Sequence, residues 1–304
     1  MALTKTKPTK RAPFPKTYAT EQTQRNVVTV RCPLERRKDW SQWFLLTADR
    51  HWDNPHSDQD LQREHLLQAR ERGAGVIDNG DLFCAMQGKW DKRSCKTDLR
   101  PEHQTDHYLD SLVATSADFF EPFADQFILI GSGNHEESIK KNHETDLTER
   151  LCATLFDRTG HKITNGGFGG WVKFLFREPA NAKKSFCINL HYDHGYGGGG
   201  PVTKGVIQNN RRGTYLPDAH IVMSGHIHER STQDVQRLRI SDQGATYHDT
   251  QTHIIQPSYK EEYGDGAHGW HARRGAPPKP IGCTWLRFYW CGRQQRVCWE
   301  VTWG

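Results

Sequence analysis

The chain has 304 residues, 41 Lys and Arg against 36 Asp and Glu, and a formal net charge of +5. That length can bury a substantial core as one large domain, and the mild positive excess permits an anionic partner without the strong basicity of a dedicated DNA-binding module. No apolar run approaches the roughly 20 residues needed to span a bilayer, which excludes a helical membrane protein.

Residues 1–25 open with "MALTKTKPTKRAPFPKT", which is basic and Pro-rich and lacks the apolar stretch of a secretory signal. It reads as a disordered arm ahead of a single domain over 26–304. Eight cysteines without a CxxC pair fit reduced thiols and a cytoplasmic protein. Cys283, Cys291 and Cys298 cluster near the C-terminus, but the missing paired knuckles weigh against a zinc site there.

Five short apolar runs follow, each running straight into polar residues. "WFLLTADRHWD" (43–53) delivers Asp49 and His51, "GVIDNGDLF" (75–83) Asp78 and Asp81, and "FILIGSGNHEE" (127–137) Asn134, His135 and Glu136. "FCINLHYDHG" (186–195) delivers His191, Asp193 and His194, and "VMSGHIHERS" (222–231) His226 and His228. Runs of four to six apolar residues without alternation predict strands buried on both faces. Between them, 57–73 reads as a helix with Ser57 or Asp58 as N-cap and Gly73 as its stop, and 105–120 and 143–156 carry apolar residues at helical spacing. From about Gly160 the texture becomes β-rich, through "GGFGGWVKFLF", "THIIQPSY" and "TWLRFYWCGRQQRVCWEVTW". The aromatic hairpin at 284–303 is expected to complete the second sheet.

Ligands of open α/β sheets sit beyond the carboxyl ends of strands, so these five loops can converge on one place. Carboxylate, imidazole and amide donors without an obligatory thiolate suit Mn, Fe, Zn or Ni, and the donors outnumber what one tetrahedral ion needs. Two ions about 3.5–4 Å apart form a clamp for displacement at phosphorus. His226 and His228, one residue apart, would point to the same side by strand alternation while Ile227 turns away.

The ordered set "DRH", "GDLF", "GNHE", "H…HG" and "GHIH" resembles the calcineurin-like metallophosphoesterase superfamily over roughly residues 43–230. The resemblance implies a four-layer α/β/β/α sandwich of two mixed sheets and a dinuclear hydrolase whose metal-bridging hydroxide attacks a phosphoester. Mn²⁺ leads the implied metals. Asp49 and His51 would bind the first ion, Asp81 would bridge both, Asn134, His191 and His226 would hold the second, and His228 would return to the first. His135 would contact phosphate and protonate the leaving group. Asp78, Asp193, Glu136 and His194 read either as groups that orient the ligands or as ordinary turn residues.

"GDLFC" is similar to the DNA-repair nuclease branch up to Cys84, where that branch carries histidine. Residues 191–229 look like uncharacterised phage members. The implied function is therefore a phosphodiesterase on nucleic acid or nucleotides, with DNA or RNA as partner. Phosphomonoesterase or cyclic-nucleotide activity is the alternative, and a non-catalytic scaffold is disfavoured by the intact His135 and ligand set. The glycine run 197–200 either approaches a phosphate or forms a surface loop. Asn134, His135, Arg211 and Arg212 are candidates for holding the substrate. The basic residues Lys89, Lys92, Arg93, Lys96, Arg100, Lys140, Lys141 and Lys204 either track a nucleic-acid backbone or belong to solvated loops.

Overall fold

A computed structural model describes residues 14–87, 94, 98–179, 181–198, 200, 202–264, 269–273 and 275–304. Lys89, Lys92, Arg93, Lys96, Gly199 and the first 13 residues lie outside them.

All five apolar runs are strands. β1 (Ala19–Gln24) and β2 (Val27–Pro33) precede β3 (Ser41–Thr47), β4 (Gly75–Asp78) and β5 (Phe127–Gly131). Then come β6 (Thr164–Gly167), β7 (Gly169–Glu178), β8 (Asn181–Asp193) and β9 (Ile221–Ser224). Two hairpins finish the chain: β10 (Ser231–Ile240) with β11 (Thr246–Ile255), and β12 (Thr284–Cys291) with β13 (Arg296–Trp303). They form two mixed sheets, ordered β1-β2-β7-β8-β9-β11-β10 and β13-β12-β3-β4-β5-β6. β3 to β6 run parallel, as do β8, β9 and β11. The five polar loops therefore leave the carboxyl ends of parallel strands at one edge of the sandwich. The aromatic hairpin joins the sheet of the first half, because β12 pairs with β3 from Thr284↔Leu46 to Tyr289↔Ser41; the sequence pattern alone had assigned it to the other sheet.

Helices α1 (Gln59–Glu71), α2 (Tyr108–Phe120), α3 (Asn134–His143) and α4 (Leu147–Thr159) belong to the β3–β6 half, and α5 (Val206–Tyr215) to the other. Asp58 caps α1 by accepting the Leu61 amide at 2.8 Å, and Gly73 beyond its end has φ +62°, as the spacing predicts. Asp146 caps α4 through the Glu149 amide at 3.0 Å. One apolar core lies between helices and sheet, around Leu66, Phe120, Leu151 and Val76. A second lies between the sheets, around Phe44, Phe174, Phe288 and Leu190. A small third cluster, Leu216, Ala219 and Val222, packs near α5. These are the four layers.

Residues 14–25, read from composition as part of a disordered arm, are ordered. Phe14 and Tyr18 are buried in the inter-sheet core, and β1 pairs with β2 from Ala19↔Arg31 to Gln24↔Val27; two aromatic anchors outweigh the basic, Pro-rich flank. The seven described cysteines are free thiols. Cys283 is buried just before β12 and Cys291 ends it, so the strand's length separates those two thiols, while Cys298 on β13 lies beside Cys291. No helix among the described residues is long and apolar enough to cross a membrane.

Candidate metal centre

Nine non-glycine residues among those described have positive φ, and five of them are Asp49, His51, Asp81, His226 and His228. Such backbone is sparsely populated by residues with a Cβ and persists only where the surroundings enforce it. Here hydrogen bonds between loops enforce it: the amides of Asp49 and His51 donate to the carbonyls of Gly80 and Asp81 at 2.9 and 3.0 Å, and Gly225 donates to His194 at 2.9 Å. The His226 amide donates to the Asp49 carboxylate at 3.0 Å. Histidines 226 and 228 thus diverge through two left-handed residues rather than by strand alternation.

Glycines clear the space that the carboxylates fill. A Cβ on Gly133 would stand 2.0 Å from Asp81 Oδ1, and one on Gly225 would stand 2.6 Å from Asp49 Oδ2. Both distances are below any tolerable contact.

Two groups of three donors result. In the first, His228 Nε2 is 3.2 Å from Asp49 Oδ1 and from His51 Nε2, and His51 Nε2 is 4.0 Å from Asp49 Oδ1. In the second, Asp81, His194 and His226 bring their donor atoms together, with His194 Nε2 3.0 Å from Asp81 Oδ2. Asn134 Oδ1 meets His226 Nδ1 at 2.7 Å. The groups adjoin, since His194 Nε2 is also 3.9 Å from Asp49 Oδ1. The oxygen that stands within 4 Å of nitrogens from both groups is therefore on Asp49, while Asp81 belongs to the second.

His191 is not in either group, and His194 takes the place assigned to it. The reason is strand parity. Leu190 and Tyr192 face the inter-sheet core, so His194 falls on that side, where Asp81 lies. His191 and Asp193 face the other way: His191 packs against Trp171 with ring centroids 4.8 Å apart, and its Nδ1 is 3.7 Å from Asp193 Oδ2. Asp193 in turn takes the Arg212 guanidinium at 2.9 and 2.5 Å. Arg212 is 2% exposed, so it fixes α5 to β8 instead of reaching a substrate; Arg211 is exposed on the same helix.

Protonation suits a cation. Burial first, then His228 and His135, hold His51 well below the usual imidazole range, and a neutral imidazole is the ligating form. Burial and then His194 lower His226 likewise. Burial opposes charge on Asp81 but is overcome by His135 and His194, which keep its carboxyl well below the usual carboxylate range. His194 is opposed by burial too, yet Asp81, then Asp49 and the Asn79 carbonyl, raise it to about 10. A cation there replaces that proton, so ligation by His194 depends on pH. The donors, four imidazoles, two carboxylates and an amide, fit divalent transition metals.

Several supports were not legible as such. Glu136 accepts the backbone amides of Asp81, Phe83 and Gly133 at 3.1, 2.9 and 2.7 Å, so its carboxylate stitches the second and third loops. Burial and then the Asp81 charge push it up to about 8, against those donors. Asp53 accepts the amides of Cys84 and Ala85 at 2.6 and 3.0 Å and the Tyr108 hydroxyl at 2.6 Å. It thereby fixes the Cys84 carbonyl, which meets His135 Nδ1 at 2.5 Å. Asp53 ends the quoted first motif, but a lone carboxylate there carries no distinguishing signal. Asp78 pairs with buried Arg50 at 2.6 Å beneath the site.

No family model and no curated protein matches this chain. Among solved structures it is similar to a conserved uncharacterized protein, a predicted phosphoesterase, from Streptococcus pneumoniae TIGR4: TM-score 0.31, 10% identity, 87% of this chain and 99% of that one. It is also similar to a candidate 5′-nucleotidase from Staphylococcus aureus solved with alpha-ketoglutarate: TM-score 0.41, 12% identity, 86% of this chain and 53% of that one. At this overlap neither neighbour bears on chemistry.

Proposed function

We propose that the protein is a dinuclear metal-dependent phosphoesterase of the metallophosphoesterase type, acting on phosphodiesters. The observation that carries this reading is the pair of adjoining His/Asp groups at the shared carboxyl-end edge. Asp49, His51 and His228 would hold one divalent ion, and Asp81, His194 and His226 with Asn134 the other. When bound, two such ions neutralise phosphate charge and supply hydroxide near neutral pH. Mn²⁺ is the ion to test first.

His135 handles the proton. Its Nδ1 donates to the Cys84 carbonyl at 2.5 Å, which fixes the ring and leaves Nε2 turned to the site, 3.6 Å from Asp81 Oδ2. A proton on Nε2 is then placed for delivery to a leaving oxygen. The His135 amide also donates to Asp81 Oδ1 at 3.0 Å, which ties the proton carrier's backbone to a carboxylate that would hold the metal.

The test compares bis-p-nitrophenyl phosphate with p-nitrophenyl phosphate, with Mn²⁺ supplied. Diester hydrolysis that falls at least about 100-fold in His135→Ala, with metal content unchanged, is the expected result. Inactivity on both esters despite two bound ions overturns the enzyme, and monoester preference overturns the diester assignment. His194→Ala is expected to lose one ion and His191→Ala to keep both, measured by elemental analysis.

A further inference from the structure

Four strands end the two sheets: β1 and β10 in one, β13 and β6 in the other. Three of them are guarded against pairing with a foreign strand. β1 breaks register at a bulge between Gln22 and Gln24, and β6 has only four residues. β13 is drawn onto the facing sheet, where the Trp299 indole donates to Thr252 Oγ1 at 3.1 Å. β10 has none of these devices. It pairs with β11 through ten successive residues without a bulge, and it contains neither Pro nor Lys. Among the described residues, the backbone of Ser231–Ile240 makes no hydrogen bond outside that ladder. An unpaired edge of this length is a template for another strand.

The charges within β10 do not guard it either. Arg237 grips Asp249 at 2.7 and 2.9 Å, and Arg239 donates to the Pro217 carbonyl at 3.1 Å. Asp234 accepts the Thr252 hydroxyl at 2.7 Å. All three are engaged within the chain. What the strand leaves to solvent includes Leu238 and Ile240, 71% and 69% exposed. Just beyond its two ends stand Arg230 and Asp242, both exposed and neither ion-paired among the described residues.

Those two charges select a partner. If β10 meets β10 of a second copy about a two-fold axis normal to the sheet, each face stays on its own side and every residue meets one of its own parity. An axis through Asp234, Arg237 or Arg239 sets that charge against itself. An axis through Leu238 sets Arg237 against Arg239 and Asp234 against Asp242, and one through Val235 pairs no charges. An axis through Gln236 brings Arg230 of each copy opposite Asp242 of the other, at both ends of the seam, with no like charges opposed. Opposite charges across a strand pair attract and like charges destabilise it.

We propose that the protein forms a two-fold dimer through antiparallel β10 strands in this register, joining the seven-stranded sheets of two copies into one continuous sheet. β10 begins three residues after His228, so the two candidate metal centres lie at opposite ends of the joined strands.

The test is molar mass by size-exclusion chromatography with light scattering, and the dimer Kd by sedimentation equilibrium, on the full chain. The parent is expected to be a dimer. Asp242→Arg sets Arg against Arg at both ends of the seam and is expected to raise the Kd about tenfold or more. Arg230→Asp/Asp242→Arg reverses both signs and is expected to restore the dimer. Both positions are exposed and outside the ladder, so the fold is left intact, which far-ultraviolet circular dichroism checks. A parent that stays monomeric overturns the proposal and leaves the edge to a strand of another protein. A dimer that Asp242→Arg leaves intact, or a loss that the charge exchange does not restore, overturns it equally.

Discussion

Two edges of the sandwich show opposite solutions to the end of a strand. Between the β10–β11 and β12–β13 hairpins lies a cleft of about 500 Å³, lined among others by Tyr247, Tyr289, Trp299 and Asp249. Its walls are unbroken ladders, ten successive pairs in one hairpin and eight in the other, without a bulge. At the carboxyl-end edge the strands stop after four to seven residues in β3, β4, β5 and β9. After β3, β4 and β9 the chain then turns through left-handed Asp and His residues whose side chains are buried or nearly so. Regular pairing makes room, whereas interrupted pairing brings polar groups together. The buried Asp and His donors meet where the backbone takes left-handed turns, not in the cleft between the unbroken ladders.

The comparison breaks most sharply with a single methyl group at each edge. Gly133→Ala puts a Cβ 2.0 Å from Asp81 Oδ1, while Gly292→Ala, in the turn of the β12–β13 hairpin, meets nothing within 4 Å. The first variant is expected to lose metal at the second group and nearly all activity. The second should keep both, with a stability change under about 1 kcal/mol. Elemental analysis and denaturant melts read the two outcomes, and retention of two ions in Gly133→Ala would show that the cradle is not needed.

A smaller effect concerns charge beneath the site against charge on the surface. Arg50 and Asp78 pair at 2.6 Å with both side chains fully buried, and Arg50 also donates to Thr47 Oγ1 and Gln62 Oε1. Arg31 and Glu21 pair at 2.7 Å across β1 and β2 with both side chains exposed. Asp78→Asn leaves a buried guanidinium without its counter-charge and is expected to cost about 3–5 kcal/mol; Glu21→Gln should cost no more than about 1 kcal/mol. Equal urea midpoints for the two variants would contradict the contrast.

What could be read in advance follows from which interactions are local. Strand runs announced themselves because burial on both faces demands continuous apolar residues, as in "FILIG" and "GVID". Asp58 and Gly73 marked α1 through rules that act within one turn. α3 escaped notice because its apolar content is a single buried Ile139, and its start is set by Glu136 reaching back to the Gly133 amide. His194 was legible but passed over: alternation from Leu190 and Tyr192 already points it inward, and extending that parity one step past the strand separates it from His191. The hairpin's choice of sheet was not legible, since the partner strand β3 lies more than 230 residues earlier in the chain. Nor could composition show that Arg212 is consumed by Asp193, because that pair joins a helix face to a strand face.

The smallest expected effect is a titration away from the site. Burial first, and the Arg50 charge second, push His65 down to about 4; its Nδ1 meets the Tyr259 hydroxyl at 2.9 Å. An unfolded chain holds its histidines near 6.5, so between about 6.5 and 4 the unfolded state binds the proton that the folded state refuses. Stability therefore rises with pH across that window, is complete above it, and is lost as pH falls through it. His65→Gln removes the titrating group while keeping a polar contact for Tyr259. Its urea midpoint is expected to change less between pH 7 and pH 4.5 than that of the parent. An unchanged pH slope would mean that His65 reaches its proton in the folded protein, and that the helix-to-sheet core around α1 is more open to water than its packing indicates.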